Sequence, residues 1–279
     1  MTRRRVNRAM DHFYIITNQE KDSDYENTIK IKKYLISRGC TCLTPFDGPL
    51  PEDTQCLIVL GGDGTLLHAA LDFVEYNIPI LGINLGTLGF LTALEKDEVW
   101  EGLDRLMADD YKIEHRMMLL GTVYKRGEKV REALALNDII VTRSGFSRLV
   151  ETKVFINGEM VDNYAGDGVI ASTPTGSTGY NLSAGGPVVL PETELMVVTP
   201  ICPHSLTARS MVVSPEDEIR IEVGRRRKTQ PEEALVTYDG QTVVELESGD
   251  AIKIRRAPQQ VHLLKVTPRT FYEILRMKM

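Results

Sequence analysis

Gly61-Gly62-Asp63-Gly64-Thr65 follows the apolar run Cys56-Leu57-Ile58-Val59-Leu60 and precedes Leu66, Leu67, Ala69 and Ala70. The order is buried strand, glycine turn, helix, with one carboxylate at the turn. Glycines there let backbone N–H groups approach a phosphate or ribose closely, and a helix N-terminus favours an anion. A carboxylate at that place repels phosphate, so simple phosphate cradling does not explain it. It fits a group that holds a metal ion, or one that takes a proton from a hydroxyl attacking phosphorus. The alternative is a tight turn whose Asp63 merely caps the helix.

A second cluster lies about a hundred residues on. Asp167-Gly168-Val169-Ile170-Ala171-Ser172-Thr173-Pro174-Thr175-Gly176-Ser177-Thr178-Gly179-Tyr180-Asn181-Leu182-Ser183 is a strand-like run that empties into small hydroxyl residues and glycine. Thr173, Thr175, Ser177 and Thr178 offer short donors, Gly176 and Gly179 remove bulk, and Pro174 fixes the backbone between them. Such a loop suits a sugar–phosphate ligand. Its plain alternative is a polar surface loop. The neighbouring Ala184-Gly185-Gly186-Pro187 argues for close packing of backbone against something. Asn137-Asp138 taken alone reads as a turn. His204 stands between Pro203 and Ser205, either near phosphates or as a structural histidine.

These blocks, with Gly82-Ile83-Asn84-Leu85-Gly86-Thr87-Leu88-Gly89-Phe90-Leu91, Leu136-Asn137-Asp138 and Pro200-Ile201-Cys202-Pro203-His204-Ser205-Leu206, resemble the ordered motif series of NAD kinases from about residue 13 to 270. Gly-Gly-Asp-Gly alone is shared with lipid kinases and 6-phosphofructokinases of the same superfamily; the Thr173–Tyr180 and Gly82–Phe90 blocks are specific. The resemblance implies transfer of a phosphoryl group from ATP to the 2′-hydroxyl of the adenosine ribose of NAD, giving NADP, with Asp63 as general base and a divalent ion, Mg²⁺, held mainly by the nucleotide phosphates. By the same resemblance Asn137 and Asp138 bind the riboses or adenine, and Asp167 lies on the nicotinamide side. Thr175, Thr178, Gly179, Tyr180, Asn181, Leu182 and Ser183 line the dinucleotide site, Tyr180 having a core aromatic as its alternative. Arg148 and Gln241 match contact positions, and Gly64 and His68 fall to the nucleotide beside Asp63. Homodimers and homotetramers occur in the family. Three departures stand out: His68 where many relatives carry Arg, Ala165 where many carry a basic residue, and Ala208-Arg209-Ser210 in place of Asn-Arg-Pro. A lipid or sugar kinase would share Asp63 without needing the whole Thr173–Ser183 block. A non-catalytic NAD-binding regulator would not need Asp63. A dehydrogenase is disfavoured because the turn lacks Gly-x-Gly-x-x-Gly spacing.

The elements that must position these groups change character along the chain. His12 to about Ala108 alternates strands and helices: Phe13–Thr17, a helix capped by Ser23-Asp24-Tyr25-Glu26 with Tyr25, Ile29 and Ile36 on its apolar face and Gly39 at its end, Cys42-Leu43, Leu57–Leu60, Ile80–Ile83 and a helix over Lys96–Met107. That is an open, mostly parallel, Rossmann-like α/β sheet. From about Tyr111 the period becomes two, with strands over Met118–Tyr124, Ala133–Thr142, Lys153–Ile156, Met160–Tyr164, Glu218–Val223, Ala234–Tyr238, Thr242–Leu246 and Ala251–Arg255. Arg126-Gly127, Asn157-Gly158 and Asp239-Gly240 supply turns, making an antiparallel all-β domain. The expected division is residues 1–110 and 111–261, with Thr270–Leu275 helical; the resemblance implies that 262–279 packs back on the first domain.

At 279 residues, 42% hydrophobic and 26% charged, the composition is that of a globular protein. A net charge of −6 leaves no footprint for nucleic acid, and the basic run Arg225-Arg226-Arg227-Lys228 reads as a solvated hairpin tip, with a phosphate-donor role as the alternative. Met1–Arg8 is basic but lacks the apolar stretch of a secretory signal. No run approaches the ~18 apolar residues of a membrane span. The four cysteines form no metal or disulfide framework: Cys40 and Cys42 share a strand face, and Cys56 and Cys202 read as small core residues. The expected setting is cytoplasmic.

Overall fold

The computed structural model describes residues 10–145, 149–224 and 233–279. The chain divides into two compact units, Met1–His115 with Val261–Met279, and Arg116–Gln260.

In the first unit, β1 (His12–Thr17), α1 (Glu26–Ser37), β2 (Thr41–Leu43), β3 (Cys56–Gly61), α2 (Asp63–Asp72), β4 (Ile80–Asn84) and α3 (Val99–Met107) alternate as the apolar periods predict. The strands run parallel in the order β2-β1-β3-β4. All six residues of β3 and all five of β4 are buried, because a parallel sheet is covered on both faces. Phe13, Ile15, Ile58, Leu60, Leu81, Ile83, Leu103 and Leu106 share one core. The chain leaves β1 for β2 on one side and returns to β3 on the other, so strand order reverses between β1 and β3. Ligands of open α/β sheets bind beyond the carboxyl ends of strands at such a point. The Asn18 side chain, just past β1, donates from Nδ2 to Thr65 Oγ1 at 3.1 Å, and Asn18 N–H donates to Leu60 O at 2.9 Å.

Two details of α1 and one of α3 differ from the sequence reading. Helix α1 starts at Glu26 after Tyr25 in the left-handed region, with no side-chain cap from Tyr25. Asp22 does the capping instead, accepting from Asn27 N–H at 3.1 Å, Thr28 N–H at 3.0 Å and Thr28 Oγ1 at 2.7 Å. Thr28 also bonds Thr17 at the end of β1, at 2.7 Å. These ties turn Thr28, Ile31 and Leu35 onto the sheet and leave Ile29 and Ile36 46% and 50% exposed. Helix α3 starts three residues later than its apolar period suggests, because Glu98 folds back to accept from Glu95 N–H at 2.9 Å.

The second unit is antiparallel. Its strands are β5 (Lys112–Lys125), β6 (Glu128–Ala135), β7 (Asp138–Arg143), β8 (Val150–Ile156), β9 (Glu159–Gly166), β10 (Gly168–Ser172), β11 (Met196–Ile201), β12 (Met211–Val213), β13 (Ile219–Val223), β14 (Glu233–Tyr238), β15 (Thr242–Glu247) and β16 (Ala251–Lys265), with the short helix α4 (Tyr180–Ser183) after β10. Strand β5 begins and β16 ends in the first unit, where Leu263 pairs in parallel with Ile80. One sheet runs β16-β13-β8-β9 with β5 and β6 attached; the other runs β12-β11-β10-β7-β14-β15. Their inner faces share a core that includes Leu119, Val141, Val154, Val169, Ile221 and Val236. Arg126-Gly127, Asn157-Gly158 and Asp239-Gly240 each carry two successive positive φ angles, as two-residue hairpin turns with the right-handed twist require.

The strand expected over Ala133–Thr142 is broken at Leu136-Asn137: β6 pairs β5 in one sheet, while β7 pairs β10 and β14 in the other. Strands β11 and β12 are additions to the sequence reading, and β16 extends ten residues past Arg255. Cys202 is exposed rather than in the core, because it follows Ile201 at the sheet's end with φ 44°. Cys40 is half-buried, and Cys42 and Cys56 are buried, the Cys56 thiol pushed upward by burial. The C-terminal helix α5 (Phe271–Lys278) starts with a capping box between Thr270 and Glu273. No helix among the described residues is long and apolar enough to cross a membrane.

Candidate active site

Asp63 opens α2 and is half-buried. Its carboxylate reaches the segment beyond β4: Oδ2 accepts from Phe90 N–H at 2.7 Å, and Oδ1 from Leu91 N–H at 3.1 Å and Thr92 N–H at 3.3 Å. Gly89 makes room for this approach, since a Cβ there would stand 1.8 Å from Asp63 Oδ1. A carboxylate has about four acceptor positions, so three N–H groups orient Asp63 and leave one for a hydroxyl. The supporting loop is itself built: Asn84, buried at the end of β4, accepts from Gly86 N–H at 2.8 Å and donates to Thr87 O. Phe90 packs on Phe271 of α5, ring centroids 6.0 Å apart, and Lys278 Nζ stands 5.1 Å from the Phe90 ring centroid. Lys21, exposed in the loop after β1, extends over the glycines: its Nζ lies 2.7 Å from where a Cβ on Gly62 would be and 3.6 Å from one on Gly86. Gly64 and His68 are exposed beside Asp63.

In the second unit the break between β6 and β7 brings Asn137 and Asp138 to a corner. Thr173 Oγ1 donates to Leu136 O at 2.6 Å, Thr173 N–H to Asn137 O at 2.9 Å, and Gly176 N–H to Thr173 Oγ1 at 3.0 Å. The corner therefore lies directly against the Ser/Thr/Gly loop. A Cβ on Gly176 would fall 2.1 Å from Asn137 O, so glycine is what permits this approach. Asp138 is buried; loss of hydration, then the negative charge of Asp239, push its carboxyl up to about 7. Arg116, buried on β5, points Nη1 at Thr175 Oγ1, 3.4 Å away.

The loop residues divide by what their side chains already do. Ser177 Oγ donates to Pro174 O at 2.7 Å and accepts from Val189 N–H at 3.0 Å. Asn181 is buried, donating to Ser177 O and Pro187 O and accepting from Thr199 Oγ1 at 2.7 Å. Gly186 packs on Asn181, as the small residues there suggest. Thr178 and Leu182 are half-buried, while Gly179, Tyr180 and Ser183 are exposed; Tyr180, at 46%, is not a core aromatic. Asp167 accepts from Arg143 Nε at 2.7 Å. His204 is exposed, its N–H donating to Ala165 O at 2.8 Å. Gln241 is exposed at the hairpin after β14. Arg148 and Arg225–Lys228 lie outside the described residues.

Lys21, Gly89 and Asp239 escape the sequence reading as site residues. Lys21 follows a strand end, where cations near a glycine turn merit a search, but the contacts of the other two are made far along the chain. Among the described residues no three His, Cys, Asp or Glu side chains converge to hold a metal ion.

Residues 19–111 match the family model of the ATP-NAD kinase N-terminal domain, and residues 136–266 that of the ATP-NAD kinase C-terminal domain. The chain belongs to the NAD kinase family. The NAD kinase of Lachnoclostridium phytofermentans is 47% identical over 282 residues, covering 96% of this chain and 99% of its own length. That of Agathobacter rectalis is 44% identical, covering 97% and 99%. Among solved structures, a yeast NADH kinase complexed with NADH superposes with a TM-score of 0.77 at 25% identity, over 96% of this chain and 86% of that one. An Archaeoglobus fulgidus NAD kinase in complex with ATP gives the same TM-score and identity, over 96% and 98%. The departures from the NAD kinase pattern have plain settings here. His68 is a solvent-facing position on α2, Ala208 packs against the edge of the second unit's core, and Ala165 offers its carbonyl to His204.

Proposed function

We propose that this NAD kinase transfers the γ-phosphoryl group of ATP to the 2′-hydroxyl of the adenosine ribose of NAD, giving NADP and ADP, with Asp63 as the general base. The observation that carries the reading is the Asp63 carboxylate, oriented by three N–H groups at the strand-order reversal with one acceptor position left. The ribose oxygen forms a bond to the γ-phosphorus as the bond from that phosphorus to the β,γ-bridging oxygen breaks. The hydroxyl proton passes to Asp63. A ribose hydroxyl is a poor nucleophile at neutral pH, and general-base help of this kind is typically worth ~10²–10⁴-fold. Asn137 and Asp138, with Thr175, Thr178, Gly179 and Tyr180, recognise the dinucleotide; Asn181 supports their loop from behind.

The donor set beside Asp63 does not fit a protein-held divalent ion: one carboxylate already accepts three N–H groups, and the Asn84 amide is engaged at both ends. Phosphate oxygens and water carry Mg²⁺ readily, and when bound it neutralises phosphate charge. Among the described residues, Lys21 extends its ammonium over Gly62 and Gly86, and we read it as a contact to the donor. A charge-assisted hydrogen bond is worth roughly 1.5–3 kcal/mol, so Lys21→Met is expected to raise KM for ATP by about tenfold or more with KM for NAD little changed. Equal increases in both would remove the donor role.

The decisive assay is NADP formation from NAD and ATP–Mg²⁺ by the purified chain, read by an NADP-specific dehydrogenase. NADP is expected; binding of NAD without product would favour a regulator, and neither would redirect the search to lipid and sugar acceptors. We further read the enzyme as a cytoplasmic homodimer or homotetramer, which light scattering at assay concentration tests; a monomer there would refute it.

A further inference from the structure

We infer that Asp239 is a positioning residue for NAD: its carboxylate builds the corner that aims Asn137 and Asp138. This rests on the reading of those two residues as dinucleotide contacts. Asp239 Oδ2 accepts from Leu136 N–H at 2.7 Å, and Oδ1 accepts from Asn137 N–H at 2.8 Å and Asp138 N–H at 2.9 Å. Asp239 N–H in turn donates to Asp138 O at 3.0 Å. Three consecutive amides at the point where the chain changes sheets thus converge on one carboxylate, which takes the place of ladder partners.

The clamp sits on a rigid mount. Asp239 and Gly240, at φ 50° and 71°, form the hairpin between β14 and β15, closed by Gln241 N–H to Tyr238 O at 2.9 Å. Tyr238 is fully buried and donates from its hydroxyl to Gly121 O at 3.1 Å. A side chain held by packing and further hydrogen bonds can fix its partners closely enough to matter for recognition. Asparagine and glycine would satisfy the left-handed backbone at this turn equally well, so the turn alone does not call for a carboxylate. The three amides do.

Asp239 also decides where the negative charge sits. Burial pushes its own carboxyl upward, but the bonds from Asp138, Leu136 and Asn137 oppose that, whereas no such bonds offset the upward push on Asp138. The three amide bonds thus favour the charge on Asp239 over Asp138, whose carboxyl is pushed up by burial and then by its neighbour. Asp138 Oδ2 lies 4.0 Å from where a Cβ on Gly179 would be, and Arg116 reaches Thr175 of the same loop from β5, 3.4 Å away.

The test is steady-state kinetics of Asp239→Asn across pH, with Asp138→Ala alongside. Asp239→Asn keeps the turn but sets an NH₂ against an N–H donor and removes the neighbouring charge. We expect KM for NAD to rise by tenfold or more with kcat within about twofold, and the neutral-range inflection of kcat/KM for NAD to move to lower pH. A purely structural role would not move that inflection. Wild-type values of both in Asp239→Asn, with Asp138→Ala impaired, would overturn the clamp alone; an unimpaired Asp138→Ala would sink the dinucleotide reading with it. Should Asp239→Asn fail to fold, amide exchange in the wild-type protein decides. Leu136, Asn137 and Asp138 are expected to be protected like the ladder of β7, and exchange as fast as in an open turn would refute the clamp.

Discussion

Asp63→Asn is expected to cut NADP formation at saturating NAD and ATP by about 10²–10⁴-fold, the usual worth of a positioned base. The substitution keeps size and removes basicity. It also sets an amide NH₂ against one of the donors Phe90, Leu91 or Thr92, whose N–H groups all point at the carboxylate. Part of the loss is therefore misplacement, and circular dichroism of the folded variant together with its substrate KM values separates collapse of the site from loss of the proton acceptor. A folded Asp63→Asn enzyme that turns over within about twofold of the wild-type rate would remove Asp63 from the chemistry altogether.

Gly89→Ala should be nearly as damaging, although residue 89 offers no functional group. The added methyl would lie 1.8 Å from Asp63 Oδ1, 2.4 Å from Cγ and 2.7 Å from Oδ2. The methyl and the carboxylate cannot share that space, so the carboxylate must leave its three donors. Misplacement of a reacting group by about 1 Å can cost on the order of 10²-fold, and we expect kcat to fall by that order. Leaving the buried donors without an acceptor should also lower stability by roughly 1–3 kcal/mol, which urea denaturation would read. Wild-type kcat in Gly89→Ala would mean that Asp63 needs no support from residues 90–92.

Much of the architecture was legible in the residues. Unbroken apolar runs mark β3 and β4 because a strand covered on both faces has no polar side to show. The dipeptides Arg126-Gly127, Asn157-Gly158 and Asp239-Gly240 mark hairpins because few residues tolerate two successive positive φ angles. The ordered motif blocks carry the resemblance to NAD kinases, and the family models match residues 19–111 and 136–266. The misreadings share one cause. The inward face of helix α1 differs from its apolar period because Tyr25, Ile29 and Ile36 satisfy a helical spacing as well as Thr28, Ile31 and Leu35 do; the bonds of Thr28 to Asp22 and Thr17 choose between them. The strand over Ala133–Thr142 is apolar enough to run straight, and Asp239, about a hundred residues away, is what bends it.

The class of each half, the strand–glycine–helix setting of Asp63 and the hairpin turns follow from side-chain period and backbone sterics over a few residues. Which groups meet depends on how the strands assemble. The strand order β2-β1-β3-β4 brings Asp63 to amides 27 to 29 residues onward, and the pairing of β7 with β14 brings Asp239 to amides 101 to 103 residues back. Hydrogen bonds across such separations leave no periodic trace in the chain, since they depend on sheet order and register, which are set by the burial of many side chains together.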